Sequence, residues 1–440
     1  MSGRKYAVLW SVVSIFAVAL SENARSQDPS PPVTEAQASL PASAESLDLQ
    51  SAVAAAWSSS PELRAAEADI AAGAARIESA ALRPPLELTG AVENALGSGE
   101  LSGLSGSEIT LGVAQVFELG RKRAERIGVA QLEHRSLEYE RDWLKLALQA
   151  DVTDVFIEGV ALERRVTVIE RARQLAQSIV SAAERRVNAG RSSQAELSRA
   201  RVTIAQADIE LLALASERQR LHRELARLIG RESAAALFRL TGTLDVLPEL
   251  PSGALLESLL ASAPDAQRAT VNRELARARL QLAEAQRRPD FSAGAGVRNL
   301  AATDDVALVF SGSIALGASR RARSGIAEAR AEVDRADALA GATGRQVAVQ
   351  ARNLADALAL AARQLELLRT VVVPESQRAE ELFATGYGLG RFSFLEVADA
   401  QRQSIEASRS LIELTLRYHQ TILDLGRLLG RPQLSEGRTP

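Results

Sequence analysis

The chain has 440 residues, 46% of them hydrophobic, a formal net charge of −3 and no cysteine. Without cysteine there is no disulfide framework, no thiolate metal site, no thiol nucleophile and no lipidated N-terminal Cys. A mildly acidic chain with no basic cluster is a poor nucleic-acid binder.

At the N-terminus Arg4 and Lys5 precede an apolar run from Ala7 to Leu20, and Ala24-Arg25-Ser26 follows with small residues at the spacing of a cleavage site. Residues 1–26 therefore read as an export signal that is removed. The alternative is a single membrane anchor, but the run falls short of the ~20 residues a spanning helix needs. Residues 27–46 hold Pro29, Pro31, Pro32 and Pro41 among Ser, Ala and Gln, a composition that stays extended or disordered. Order is expected to begin near Leu47.

From there the chain is written twice, at an offset of about 200 residues. The segment from Pro61 to Asn94, ending RPPLELTGAVEN, returns as Pro264 to Asn299, ending RRPDFSAGAGVRN. ITLGVAQVFELGRKRA from Ile109 is echoed by LVFSGSIALGASRRA from Leu308, and Gly190-Arg191-Ser192-Ser193-Gln194-Ala195-Glu196 by Gly390-Arg391-Phe392-Ser393-Phe394-Leu395-Glu396. The repeats are placed at 47–249 and 250–430, with a tail at 431–440.

Each repeat opens with a helix and then two strand-like pieces. Leu86, Leu88, Gly90 and Val92 alternate with Glu87, Thr89, Ala91 and Glu93, and Ile109, Leu111 and Val113 with Thr110, Gly112 and Ala114. The second repeat does the same through Phe291 to Val297 and Val306 to Leu316. Each run is close to the 9–11 residues of a tilted strand crossing a bilayer. Past the signal there is no apolar stretch long enough for a membrane-spanning helix, so any membrane segment must be made of strands. The Gly-rich GSGELSGLSG from Gly97 lacks a Lys-Ser/Thr phosphate signature and reads as a flexible loop.

What remains is helical. The stretch from Gly120 to Ala189 would make a rod of ~100 Å, and its counterpart from Ala318 to about Thr385 is interrupted only by Pro374, an expected kink. Tyr139, Trp143, Leu146, Ala150, Ile157 and Val160 make one stripe; Leu137, Leu144, Leu148, Val152, Val155 and Leu162 make a second. Two stripes imply two neighbours, as in the wall of a helical tube. After each Gly-Arg a further helix begins, Glu196 to Ile229 and Glu396 to Leu429, the latter with Leu411, Thr415, Tyr418, Ile422, Leu425 and Leu429 on one face. The Gly-containing turns thus join antiparallel helices. Paired Arg and Glu along the rods read as solvated faces. His134, His222 and His419 lie on three different helices as surface or interface residues, without the spacing of a zinc site. No nucleophile, base and orienting group can be assembled, so the sequence points to no enzyme, no metal site and no cofactor.

Four amphipathic strands cannot close a barrel, and open edges do not persist in hydrocarbon. The order helix, strand pair and long hairpin, twice over, with PEL at 61, VEN at 92, FELGRKR at 117 and GRFSFLEVADAQR at 390, resembles the TolC-like outer membrane factors over roughly residues 47–430. FELGRKR is most like the ELGGKR of the CzcC-type heavy-metal branch, with Arg121 in place of a second Gly. Ser60 stands where an Asn is usual, and IALGAS lacks a proline.

The resemblance implies a mainly α fold with a small β part: duplicated helical hairpins forming a trimeric α-barrel, and four strands per chain contributing to a shared twelve-stranded barrel. It implies a homotrimer in the outer membrane lipid, working with a periplasmic membrane-fusion adaptor and an inner-membrane pump of the RND type. The hairpin tips at Gly190, Arg191, Ser193, Gly390, Arg391 and Ser393 are the expected adaptor-docking positions. Glu396 and Asp399 fall on acidic ring positions of a periplasmic gate, and Glu196 and Tyr387 on an inter-hairpin latch; the latch's usual Arg position holds Phe392. The bland alternative is that Glu396 and Asp399 are ordinary solvated helix residues. The implied activity is passive efflux, tilted toward heavy-metal cations by FELGRKR, with drug efflux, type I protein secretion, or a purely structural periplasmic coiled coil as alternatives.

Overall fold

A computed structural model describes residues 45–231 and 238–431. The expected export signal, nearly all of the Pro-rich segment and nearly all of the tail lie outside the described residues.

Among these residues the elements come twice in one order. The first set is β1 (Glu45–Leu47), α1 (Leu49–Ser59), α2 (Pro61–Ala81), β2 (Leu86–Glu93), β3 (Glu108–Phe117), α3 (Lys122–Asn188) and α4 (Gln194–Leu228). The second is β4 (Phe238–Leu240), α5 (Gly253–Leu260), α6 (Pro264–Ala285), β5 (Phe291–Leu300), β6 (Asp305–Ile314), α7 (Ala318–Leu367), α8 (Val373–Gly388) and α9 (Phe394–Leu429). Local chemistry sets several starts. The Asp48 carboxylate accepts from Ser51 N–H to cap α1, the Ser60 hydroxyl caps α2 at Leu63 N–H, and α2 and α6 both begin on proline, whose missing N–H has no partner to lose there.

β2, β3, β5 and β6 form one antiparallel sheet in that order, with Gly112 opposite Gly296 at its centre. The register stacks Leu88, Val113, Ala295 and Phe310 in one row, and Gly90, Leu111, Val297 and Leu308 in the next. One face is thus apolar, and it is bare: Leu88 is 82% exposed and Phe310 78%. The other face carries Glu87, Thr89, Thr110, Gly294, Arg298, Ser311 and Ser313. β2 and β6 each have one unpaired edge. The two short strands β1 and β4, which no periodicity in the sequence announces, pair in parallel.

The loop from Gly97 is more ordered than its composition suggests. It holds a short 3-10 turn at Gly99–Leu101, with Leu96 N–H on Gly103 O at 2.8 Å and Gly97 N–H on Leu101 O at 2.9 Å. No helix among the described residues is long and apolar enough to cross a membrane.

Both stripes of α3 find separate partners. Val152, with Leu148 and Val155 beside it, packs against α1, the end of α4 and Phe238; Ile157 and Val160 pack with Leu244 and with Ile412 of α9. The face of α9 seen in the sequence is buried as well: Tyr418, Ile422, Leu425 and Leu429 close a core with α5 and α7. The charged residues of the rods are not merely solvated, since Arg173–Asp208 (2.5 Å), Arg220–Glu158 (3.1 Å) and Arg201–Glu184 (2.9 Å) cross-brace α3 and α4. Their side chains are exposed, so each bridge is worth under ~1 kcal/mol. Of the two places expected for His222, surface or interface, it takes the second: it is buried between α4 and β4, its Nδ1 accepts the Phe238 N–H at 3.2 Å, and burial lowers its pKa.

The kink expected at Pro374 takes the form of a π-helical turn. α7 and α8 are one rod, joined by the five residues Leu368–Val372 in i→i+5 bonding. Pro374 has no N–H to give and its ring crowds the carbonyl four residues back, and the wider turn accommodates both without breaking the helix.

Candidate functional site

The two hairpin apices are built alike. α3 ends in a Schellman-type turn, with Arg191 N–H on Arg186 O at 2.8 Å and Gly190 N–H on Val187 O at 2.9 Å; α8 repeats it with Arg391 N–H on Gly386 O at 2.8 Å and Gly390 N–H on Tyr387 O at 2.9 Å. Gly190 and Gly390 take φ of 67° and 78°, left-handed values that glycine adopts without strain. Ser193 and Ser393 then cap α4 and α9 through their hydroxyls, and Arg191 and Arg391 stand exposed at the apices.

Past the caps the repeats diverge. Glu396 turns back onto its own helix end: its Oε2 accepts from Ser393 N–H at 2.8 Å and from Ser393 Oγ at 2.9 Å, completing a capping box. The Ser393 N–H holds the Glu396 carboxyl below its ordinary range. The equivalent Glu196 reaches outward instead. Its Oε1 accepts the Tyr387 hydroxyl at 2.7 Å, and its Oε2 accepts the Ser192 hydroxyl. Where Ser192 stands in the first repeat, the second has Phe392, whose ring packs on Phe383 at 4.6 Å and lies against Gly386.

Tyr387 is 0% exposed. The Arg186 guanidinium lies over its ring at 4.6 Å, and Arg186 Nη1 donates to Tyr387 O at 3.1 Å. Burial, followed by the bond to Glu196, pushes the phenol up to about 12. Around it Ile179, Val180, Ala183, Leu197, Phe394 and Val397 form the core that ties the two hairpins together. Asp399 lies one turn beyond Glu396 on the exposed side of α9, paired with Arg402 and accepting from Gln403 Nε2 at 2.9 Å. The structure therefore brings Glu196 and Tyr387 together, keeps Glu396 and Asp399 close on an exposed face, and gives both acids local partners.

Three participants carry no signal in the sequence. Arg186 is one. Glu380 is another, 6% exposed on α8, with the Ser404 hydroxyl donating to it at 2.8 Å and burial raising its pKa. Gln401, also buried, donates to Ala172 O at 2.9 Å and pins α9 to α3. These contacts tie the two hairpins to one another near their apices. Among the described residues no group of three His, Asp or Glu side chains could hold a metal ion.

Known proteins share the fold that carries these hairpins. Residues 52–231 match the family model described as "Outer membrane efflux protein". The chain is 26% identical over 317 residues to the cobalt-zinc-cadmium resistance protein CzcC of Cupriavidus metallidurans, covering 72% of this chain and 75% of that one. It is 28% identical over 307 residues to the pyoverdine export outer membrane protein OpmQ of Pseudomonas putida, covering 66% of this chain and 63% of that one. The solved outer-membrane channel OprN shares the fold at 19% identity, with a TM-score of 0.74 over 87% of this chain and 89% of the other. The family match lies in the first repeat and the likeness of fold runs on through the second: the chain is similar to the outer membrane efflux proteins.

Proposed function

We propose that this protein is the outer-membrane conduit of a multi-component efflux system, and the observation that carries the reading is the sheet. It has an apolar face with nothing on it, two unpaired edges, and rods of up to 67 residues leading away from it. Water would be a poor solvent for that face, and hydrocarbon would be a poor one for the edges unless other chains pair with them. Three copies contributing four strands each would satisfy both conditions in a twelve-stranded barrel, and the hairpins would continue as a helical tunnel in the periplasm. Like the efflux proteins it resembles, the protein is a conduit and not an enzyme. Energy comes from an inner-membrane pump of the RND type, coupled through a membrane-fusion adaptor that meets the apices at Gly190, Arg191, Ser193, Gly390, Arg391 and Ser393. Glu196 with Tyr387 latches the periplasmic end, while Glu396 and Asp399, three copies of each, set its preference for cations.

Heavy-metal cations are the first choice of cargo, on the strength of the likeness to CzcC. The likeness to a pyoverdine exporter at comparable identity favours a small organic cargo as the second. Cell fractionation is expected to recover the protein in the outer membrane as a heat-dissociable trimer, and recovery in the soluble periplasm alone overturns the channel. A deletion strain is expected to lose tolerance to cobalt, zinc and cadmium. Unchanged metal tolerance with impaired release of an organic chelator selects the second cargo.

A further inference from the structure

The sheet ends differently at its two rims. At the loop rim stand Glu93, Glu108, Asp304 and Asp305, with one arginine, Arg298, tied to Glu93 at 2.8 Å and to Glu108 at 2.6 Å. At the opposite rim, where strands run into helices, the sign reverses. Arg83, Arg287, Arg288, Arg320, Arg321 and Arg323 are all exposed there, and none of their side chains makes a hydrogen bond or ion pair among the described residues. Their neighbours Lys122 and Arg126 are already engaged, by Asp290 at 2.7 Å and by Glu118. The expectation of no basic cluster thus fails in three dimensions, because short runs distant in sequence converge where the strands give way to helices.

Two further features set this belt apart from a solvated charged surface. Leu82, Leu119 and Leu316 stand exposed among the arginines and continue the bare apolar face through Leu86, Phe117, Phe291 and Ile314. Arg287, Ser319, Arg323 and Arg330 also line a groove of about 540 Å³ between α6 and α7, with Asp334 as its acidic member. Arg320 and Arg321 fall in the first turn of α7, where no acidic residue offsets them and the helix dipole opposes cations. Charge of this kind beside an apolar band is matched by an anionic lipid surface, where guanidinium groups pair with phosphate in fixed, bidentate geometry.

We propose that this arginine belt binds the headgroups of anionic phospholipids in the bilayer leaflet next to the helical rods, fixing the depth at which the sheet sits. The inference rests on the reading that the sheet lies in a membrane. The full-length protein in dodecyl maltoside is titrated with phosphatidylglycerol or phosphatidylcholine in mixed micelles. Saturable binding of phosphatidylglycerol is expected, about tenfold tighter than of phosphatidylcholine, weakened about tenfold by Arg320→Gln with Arg321→Gln and Arg323→Gln. A second variant, Arg83→Gln with Arg287→Gln, should weaken it too, without touching α7. Equal binding of the two lipids, binding unchanged in both variants, or complete displacement by equimolar inorganic phosphate overturns the proposal. So does loss of binding to purified peptidoglycan, rather than to lipid, in the variants. Recovery in the outer-membrane fraction is scored separately, so an inserted protein without lipid preference defeats the belt and leaves the channel standing.

Discussion

The Tyr387 hydroxyl donates to Glu196 Oε1 at 2.7 Å, joining the last turn of α8 to the first turn of α4 across the two repeats. Tyr387→Phe keeps the ring and its contact with Arg186 but removes this bond. It is expected to destabilise the tip by about 1–2 kcal/mol, read as faster hydrogen exchange over residues 380–397. Single-channel conductance of the reconstituted protein should rise. A variant that exchanges and conducts like the parent would show that the bond does not hold the hairpins together.

Alkaline pH should act on the same bond. The phenol is pushed up to about 12 in the folded state by burial, against about 10 in an unfolded chain. The folded state therefore holds a proton that the unfolded state has released. The contribution is complete below pH ~10 and is lost as the pH climbs through the folded value. Thermal midpoints measured from pH 9 to 11.5 should fall more steeply for the parent than for Tyr387→Phe.

Glu380 has the same sign at the acid end of the scale. Its carboxyl is pushed up by burial, partly offset by the Ser404 hydroxyl and by Arg171, with Glu381 adding to the rise. In the window above the ordinary carboxyl value the folded state takes up a proton that the unfolded state lacks, so acidification stabilises it. Glu380→Gln can still accept from Ser404 and carries no charge. It is expected to raise the thermal midpoint at pH 7.5 and to reduce the gain the parent shows between pH 7.5 and 5.5.

Arg121 stands where the heavy-metal branch usually has glycine, and it takes φ 66° directly after Gly120 at φ 84°. A left-handed residue with a side chain is strained by roughly 1 kcal/mol or more, and the bridge to Glu125 at 3.8 Å is too exposed to offset that. Arg121→Gly is expected to stabilise the protein by up to about 1 kcal/mol in a denaturant titration.

The centre of the sheet admits no side chain between β3 and β5. A Cβ on Gly296 would meet Leu111 O at 2.7 Å and Gly112 Cα at 3.0 Å. Gly296→Val should force the strands apart and abolish the heat-dissociable assembly on unheated gels, whereas Gly253→Ala, with open space around it, should leave it intact.

Much of this architecture is legible in the residues because it is periodic. The alternation of Leu86, Leu88 and Val92 against Glu87 and Thr89 fixes which face of the sheet is apolar, and the ladder from Tyr418 to Leu429 fixes the buried side of α9. Contacts that depend on one pair of side chains are not periodic and leave no such trace. Glu196 and Glu396 occupy the same place in the same motif, yet one reaches Tyr387 and the other closes a capping box, and only the neighbouring chain decides between them. Arg186 meets Tyr387 from another hairpin, and Glu380 is buried within a helix whose sequence reads as charged. β1 and β4 are three residues each, too short for a pattern.

The bare outer sides of β2 and β6 make this part of the chain thermodynamically unfinished. Their N–H and C=O groups can be satisfied by water or by a second molecule, and in the proposed trimer the free energy of this sheet would be set in part by how many protomers share the compartment. Dilution would act on it as a denaturant does. A measured stability would then carry units of concentration, and a destabilising substitution in a strand could be rescued by expressing more protein.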